Sequence, residues 1–212
     1  MTSSDKKIIF GLGNPGLEYQ HTRHNVGFML LDRLQDILLS SEQRKEQLSS
    51  KLKSRLLSTS NTILVYPQTY MNLSGEAVRD VLNWYKITNT QNILVIHDDI
   101  SLPLGRIRWV HSAGAAGQHG IESIIKHLGT QNFPRLRFGI GPDPGGERRS
   151  AFVLGKFQDE ELLKKSLSLA IESLKLYLQN NHDLKTIMNQ YNGVDLSKKN
   201  LDKIEDTEDR RY

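Results

Sequence analysis

The sequence predicts an α/β domain built on a mixed, mostly parallel twisted sheet with helices on both faces. Three observations lead there. Short apolar runs alternate with segments whose apolar residues recur at helical spacing. The strongest run, Ile93-Leu94-Val95-Ile96, is continuously apolar, as strands covered on both faces are. Two further runs flank Thr59-Ser60-Asn61, which marks a hairpin and adds antiparallel strands. At 212 residues the chain is long enough for one ordinary domain with its own core.

Lys7 to Leu12 reads as a first buried strand, followed by a polar loop from Gly13 to Asn25. Phe28, Leu31, Leu34 and Leu38 then predict a helix. Residues 40–50 are polar and read as an exposed connection. Ser54–Leu57 and Ile63–Tyr66 form the hairpin, which Pro67 ends. Ser74 is the expected N-cap of a helix carrying Ala77, Val78, Val81, Leu82 and Tyr85 on one face. Ile93–Ile96 is the expected central strand, with His97-Asp98-Asp99 at its carboxyl end. Arg106–Val110 alternates charge with apolar bulk, as a half-exposed strand does. A small-residue loop from Ser112 to Gly120 precedes a helix through Ile121, Ile124, Ile125 and Leu128. Leu136–Ile140 is a strand and Pro142–Gly146 a flexible loop. Leu163 to Leu178 spaces its leucines as a long amphipathic helix, and a shorter helix covers Asp183 to Tyr191. The domain is expected to span residues 1–194. Residues 195–212 hold five basic and six acidic residues and are expected to be a disordered tail.

Composition excludes several function classes. No apolar run reaches the roughly 18 residues of a membrane-spanning helix, and mean hydropathy is −0.48. Without cysteine there is no disulfide scaffold, thiol nucleophile or cysteine-ligated metal. The first residues lack a targeting h-region, so the protein is expected in the cytoplasm. Net charge is +4, and residues 1–194 carry 23 basic and 18 acidic residues, a surplus that suits a polyanionic partner.

Gly11-Leu12-Gly13-Asn14-Pro15-Gly16 follows a strand in the G-x-G-x-x-G pattern of dinucleotide-binding proteins. Here Pro15-Gly16 and a polar stretch delay the helix, so its N-terminus cannot face a pyrophosphate. The next strand also ends in Pro67 with no acidic residue for a ribose. The pattern reads better as a tight turn that lets Asn14 approach a ligand. His21, His24, His97, His111 and His119 with Asp98 and Asp99 make a metal site conceivable, but no compact ligand spacing such as H-E-x-x-H occurs. Asp98 is the stronger signal, because ligands of open α/β sheets sit beyond the carboxyl ends of strands. A carboxylate there can orient an imidazole, and His24, in the loop after the first strand, reaches the same edge. Asp99 is the competing carboxylate. Asn72 in Met71-Asn72-Leu73-Ser74-Gly75 can hold a carbonyl or water, or stabilise its own turn. Arg106, Arg108, Arg135, Arg137, Arg148, Arg149 and Lys156 lie close in sequence. Arginines two apart on a strand share a face and suit phosphates.

Several blocks occur in a fixed order between Lys7 and Tyr191. They are Gly11–Tyr19, Thr22-Arg23-His24-Asn25-Val26-Gly27-Phe28, Tyr70–Gly75, Ile96-His97-Asp98-Asp99 with Leu102-Pro103, Pro134–Gly141 and Phe152–Phe157. Together they resemble the bacterial-type peptidyl-tRNA hydrolase family. The resemblance implies a monomeric α/β enzyme that cleaves the ester between a peptide and the 3′ ribose of tRNA, recycling the tRNA. It implies no metal or organic cofactor and no membrane. By the family pattern His24 is the base, Asp98 the carboxylate that orients it, and Asn14 an active-site amide. Tyr19, Met71, Asn72 and His119 are implied at the substrate, and Arg108 and Arg137 along the tRNA backbone. The family loop G-G-H-N-G is here Ala116-Gly117-Gln118-His119-Gly120, with His119 in place of an asparagine that contacts the peptide. Val110 stands where a basic residue is expected. These departures give the alternative expectation of an RNA-binding relative with reduced or lost hydrolysis.

Overall fold

The computed structural model describes residues 6–39, 45–179 and 183–198. Seven strands form one mixed sheet in the order β2-β3-β4-β1-β5-β7-β6. The parallel centre consists of β1 (Lys7–Gly11), β4 (Thr62–Pro67), β5 (Ile93–Pro103) and β7 (Asn132–Gly141). Antiparallel strands β3 (Ser54–Ser58) and β2 (Lys45–Ser49) extend one side, and β6 (Ile107–Ser112) the other.

The alternation of side chains along the central strands builds two cores. Ile9, Leu64, Leu94 and Ile96 point to one face, where they meet helices α1 (Val26–Leu39), α5 (Glu160–Gln179) and α6 (Leu184–Tyr191). Ile8, Phe10, Ile63, Val65, Ile93 and Val95 point to the other, where α2 (Ser74–Tyr85) and α3 (His119–Leu128) cover them. Both faces are dry, which explains why these strands read as unbroken apolar runs.

The connections fix where a ligand can bind. The chain leaves β1 through α1 on one face and returns to the sheet on the β4 side. It then leaves β4 through α2 on the opposite face and crosses to β5. Beyond the paired ends of β1 and β5 the two chains diverge and a crevice opens. Gly11 pairs with Ile96, after which β1 stops and β5 continues. Gly11 and Gly27 make the close approach possible. A Cβ on Gly27 would stand 2.4 Å from the Leu12 nitrogen, and one on Gly11 2.5 Å from the Gly27 oxygen. The G-x-G pattern therefore serves contact between β1 and the start of α1.

Several expectations are corrected. Residues 45–49, expected in a connection, are edge strand β2; its exposed, charged residues carry no apolar alternation. The remainder of that connection, 40–44, lies outside the described residues. Ser74 is the first residue of α2 and not its cap; its hydroxyl donates to the Met71 carbonyl at 2.8 Å, closing the turn before the helix. Asp98 and Asp99 lie within β5, which outlasts its apolar run by pairing with β7. A short helix α4 (Arg148–Val153) follows the Pro142–Gly146 loop, too short and basic to show apolar spacing. Of the expected tail, Leu196–Lys198 form a 3-10 turn, and the Leu196 amide donates to the Gly105 carbonyl at 3.0 Å. Residues 199–212 lie outside the described residues.

Candidate active site

A cavity of about 610 Å³ opens at the crevice beyond β1 and β5. Asn14, His24, Met71, Asn72, Asp98, His119 and Arg137 all line it. These residues come from the loop after β1, the turn before α2, strands β5 and β7, and the start of α3.

His24 sits on a 3-10 turn, Arg23–Asn25, that is clamped from two sides. The Arg23 amide donates to the Gly155 carbonyl at 2.9 Å, and its guanidinium donates to the Phe152 carbonyl at 3.1 Å while stacking 4.1 Å from the Phe152 ring. On the other side the Asn25 side chain accepts the Asn14 amide and donates to the Asn14 carbonyl, both at 2.9 Å. The imidazole is thus carried by a rigid turn.

His24 Nδ1 lies 2.9 Å from Asp98 Oδ2. A carboxylate only accepts, so Nδ1 carries the proton and the Nε2 lone pair is left for the cleft. Burial disfavours the His24 imidazolium, but the Asp98 charge and hydrogen bond outweigh it and hold the pKa above its ordinary value. Burial pushes the Asp98 carboxyl up; His24, the Gln118 hydrogen bond and His97 outweigh this and hold it below its ordinary value. Asp98 therefore stays ionised behind a basic imidazole. His97, next along β5, donates from Nδ1 to the Asp98 carbonyl at 2.8 Å, and burial pushes its pKa down to about 4.

Asn14 is buried, and its Oδ1 accepts the Met71 amide at 2.8 Å. That contact fixes the side-chain amide, so its NH2 group is the part offered to the cleft. Asn72 and His119 are exposed on the cleft wall. Arg137 donates from Nε at 2.7 Å and Nη2 at 2.6 Å to Asp99 Oδ2. Asp99 is thus committed to Arg137 and to Ser101, leaving Asp98 as the partner of His24.

Other expected residues stand elsewhere. Tyr19 ends a 3-10 turn ahead of the His24 turn and is not among the residues lining the cavity. Arg108 is exposed on β6, paired in register with Arg137 and outside the cavity. Arg135, expected to face phosphate, is 1 % exposed and directs Nη1 and Nη2 to the carbonyls of Ala113, Gly114 and Gln131. It is a structural residue that pins the loop before α3. Sequence reasoning missed Arg23 and Gln118 as supports of the site, because each acts through a partner 20 or more residues away, and Asn25, whose partner Asn14 lies 11 residues back in the same loop. No group of three or more His, Asp or Glu among the described residues is placed to hold a metal ion. No described helix is long and apolar enough to cross a membrane.

Known proteins resemble this chain in sequence and fold. The family model described as peptidyl-tRNA hydrolase matches residues 8–201. The chain is 43% identical over 192 residues to a peptidyl-tRNA hydrolase of Synechocystis sp., covering 90% of this chain and 97% of that one. It is 39% identical over 193 residues to one of Clostridium botulinum, covering 90% and 98%. The crystal structure of peptidyl-tRNA hydrolase from Acinetobacter baumannii superposes with a TM-score of 0.79 at 34% identity, covering 91% of this chain and 97% of that one.

Proposed function

The chain belongs to the peptidyl-tRNA hydrolase family and is an ester hydrolase acting on peptidyl-tRNA; on that premise we propose that His24 is its general base, Asp98 the carboxylate behind it and Asn14 the donor that meets the developing oxyanion. The observation that carries this reading is the 2.9 Å contact between His24 Nδ1 and Asp98 Oδ2 at the wall of an open cleft. Hydrolysis, not the alternative of an RNA-binding relative, is the favoured function.

The geometry supports the following steps. His24 Nε2 takes a proton from a water molecule as its oxygen attacks the acyl carbon. The carbonyl oxygen becomes an oxyanion, met by an N–H of Asn14; one such donor is worth about 3 kcal/mol at the transition state. Asp98 stabilises the imidazolium. Collapse breaks the bond to the 3′ ribose oxygen, which takes the proton back from His24. An ester has a good leaving group, so a single base suffices and the steps call for no metal or organic cofactor.

Tyr19, Met71, Asn72 and His119 are proposed to hold the peptide and the 3′ end of the tRNA. In support, Asn72 and His119 stand exposed on the cleft wall, and the Met71 backbone sets Asn14. Arg108 and Arg137 are proposed to meet tRNA phosphates, supported by their pairing in register at the side of the cleft. The enzyme is proposed to be a cytoplasmic monomer, since its substrate arises at ribosomes. In support, the free edge of β6 is occupied: the Asn192 side chain accepts the Trp109 amide at 2.7 Å and donates to its carbonyl at 2.9 Å.

His24→Ala tests the assignment. Peptide release from peptidyl-tRNA should be abolished while tRNA affinity stays near that of the unaltered enzyme. Turnover at a comparable rate would mean another group is the base.

A further inference from the structure

We infer that Gln118 is a positioning residue for hydrolysis, its side-chain N–H holding the second oxygen of Asp98 so that the carboxylate stays turned toward His24. The inference rests on the roles proposed above for His24 and Asp98.

Gln118 is 9% exposed and caps the N-terminus of α3. Its Oε1 accepts the Ile121 amide at 2.8 Å. An amide nitrogen cannot accept there, so the backbone of α3 decides which way the side chain is turned. Nε2 must then face the opposite side, where it lies 2.9 Å from Asp98 Oδ1 and 3.3 Å from Met71 Sδ. Asp98 is 2% exposed, and its other oxygen takes the His24 N–H. Each carboxylate oxygen thus receives one directed N–H, from elements on opposite sides of β5.

Removing the Gln118 donor leaves Oδ1 anionic and buried without that partner. The carboxylate is then free to turn in search of another donor, and His24 loses its reference. The support behind Gln118 is firm. α3 is tied to α2 by the Gly75 amide, which donates to Ser123 Oγ at 3.0 Å, and a Cβ on Gly75 would stand 2.2 Å from the Ser123 oxygen. The titratable groups facing Asp98 are His24, from the turn before α1, and His97 on β5 itself; Gln118 is neutral. Asp98 is the charged group facing His24.

Gln118→Ser separates the two duties of the side chain. Serine caps a helix well but is too short to reach Asp98. The variant should stay folded with a lowered melting temperature, because Asp98 Oδ1 loses its donor, and keep its KM for peptidyl-tRNA, while kcat falls about 10- to 100-fold, the value of one charge-assisted hydrogen bond. The acid limb of its kcat/KM profile should move to higher pH, because an Asp98 anion without its donor draws a proton onto His24 more strongly. Gln118→His, which again offers a side-chain N–H, should recover most of kcat. A Gln118→Ser enzyme with unchanged kcat and acid limb would overturn the inference, as would a rise in KM alone. If Gln118→Ser folds poorly, Gln118→His decides: a folded Gln118→His enzyme without recovered kcat overturns the inference. His24→Ala measured alongside separates the failures. An active His24→Ala enzyme removes the underlying reading; an inactive one beside a fully active Gln118→Ser enzyme removes only the role of Gln118.

Discussion

Asn14 Oδ1 accepts the backbone amide of Met71 at 2.8 Å, a bond between the loop after β1 and the turn before α2. The bond joins the two walls of the cleft and decides the chemistry of one of them. With its oxygen committed, Asn14 can present only N–H groups to a substrate. An N–H donor is what a developing oxyanion needs, and the Asn25 side chain locks the Asn14 backbone so that little reorganisation remains.

Asn14→Asp isolates this effect with almost no change of shape. The aspartate still accepts the Met71 amide, but an anionic oxygen replaces the NH2 group. Single-turnover peptide release should slow by about 100- to 1000-fold, the usual cost of losing one oxyanion donor. tRNA binding should hold near that of the unaltered protein, while the largely buried new carboxylate should cost about 1–3 kcal/mol in stability. A variant that releases peptide at the original rate would show that the oxyanion is held elsewhere.

The His24–Asp98 pair makes a prediction in pH. The reactive form of His24 is neutral, and its pKa stands above the ordinary 6.5. Activity should therefore fall as pH drops through a value above 6.5, and a profile flat from pH 5 to 8 would contradict the assignment. Asp98→Asn removes the charge and should move this limb to lower pH. It also places N–H groups where His24 and Gln118 both donate, so one contact must break or the imidazole must change tautomer; by analogy with other histidine–aspartate pairs kcat should fall by up to about 10⁴. Stability has the opposite dependence on the high side. With the folded pKa of His24 raised, its contribution is complete below 6.5 and is lost as pH rises through the folded value. With the folded pKa of Asp98 lowered, its contribution is present above 3.8 and is lost as pH falls through the folded value. Chemical denaturation across pH should thus find the pair most stabilising between those limits, and Asp98→Asn should flatten that window.

How much of this was legible depends on whether the signal was local. The central strands and the long helices announced themselves because each buries one repeating set of apolar side chains, as Leu30, Leu31 and Leu34 do in α1. Strand β2 buries almost nothing, and α4 is too short to complete a pattern, so neither could be found. In the site, His24 and Asp98 were legible because a loop after β1 and the crossing strand β5 must meet at one edge of such a sheet. Gln118 touches Asp98 across 20 residues, and Arg23 reaches Phe152 across 129. No spacing rule connects such pairs. Arg135 misled for the same reason: two apart from Arg137 on one strand, it looks like a phosphate ligand until three backbone carbonyls of its surroundings are seen to claim it.

Arg108 and Arg137 divide the electrostatics of tRNA binding in a way that variants can separate. Arg108 is exposed and stands beside Arg137 in register, so its loss removes a charge and little else. Arg108→Ala should raise KM, leave kcat unchanged, and lower the slope of log affinity against log salt by about one. Arg137 also neutralises Asp99, whose side chain is 5% exposed. Arg137→Ala should weaken tRNA binding as well, and in addition strand a buried carboxylate that keeps only its Ser101 donors, at a cost of about 1–3 kcal/mol in stability. The double variant Arg137→Ala with Asp99→Ala removes the stranded charge and should regain melting temperature without regaining affinity. A salt slope unaltered in Arg108→Ala would place the tRNA backbone on another face.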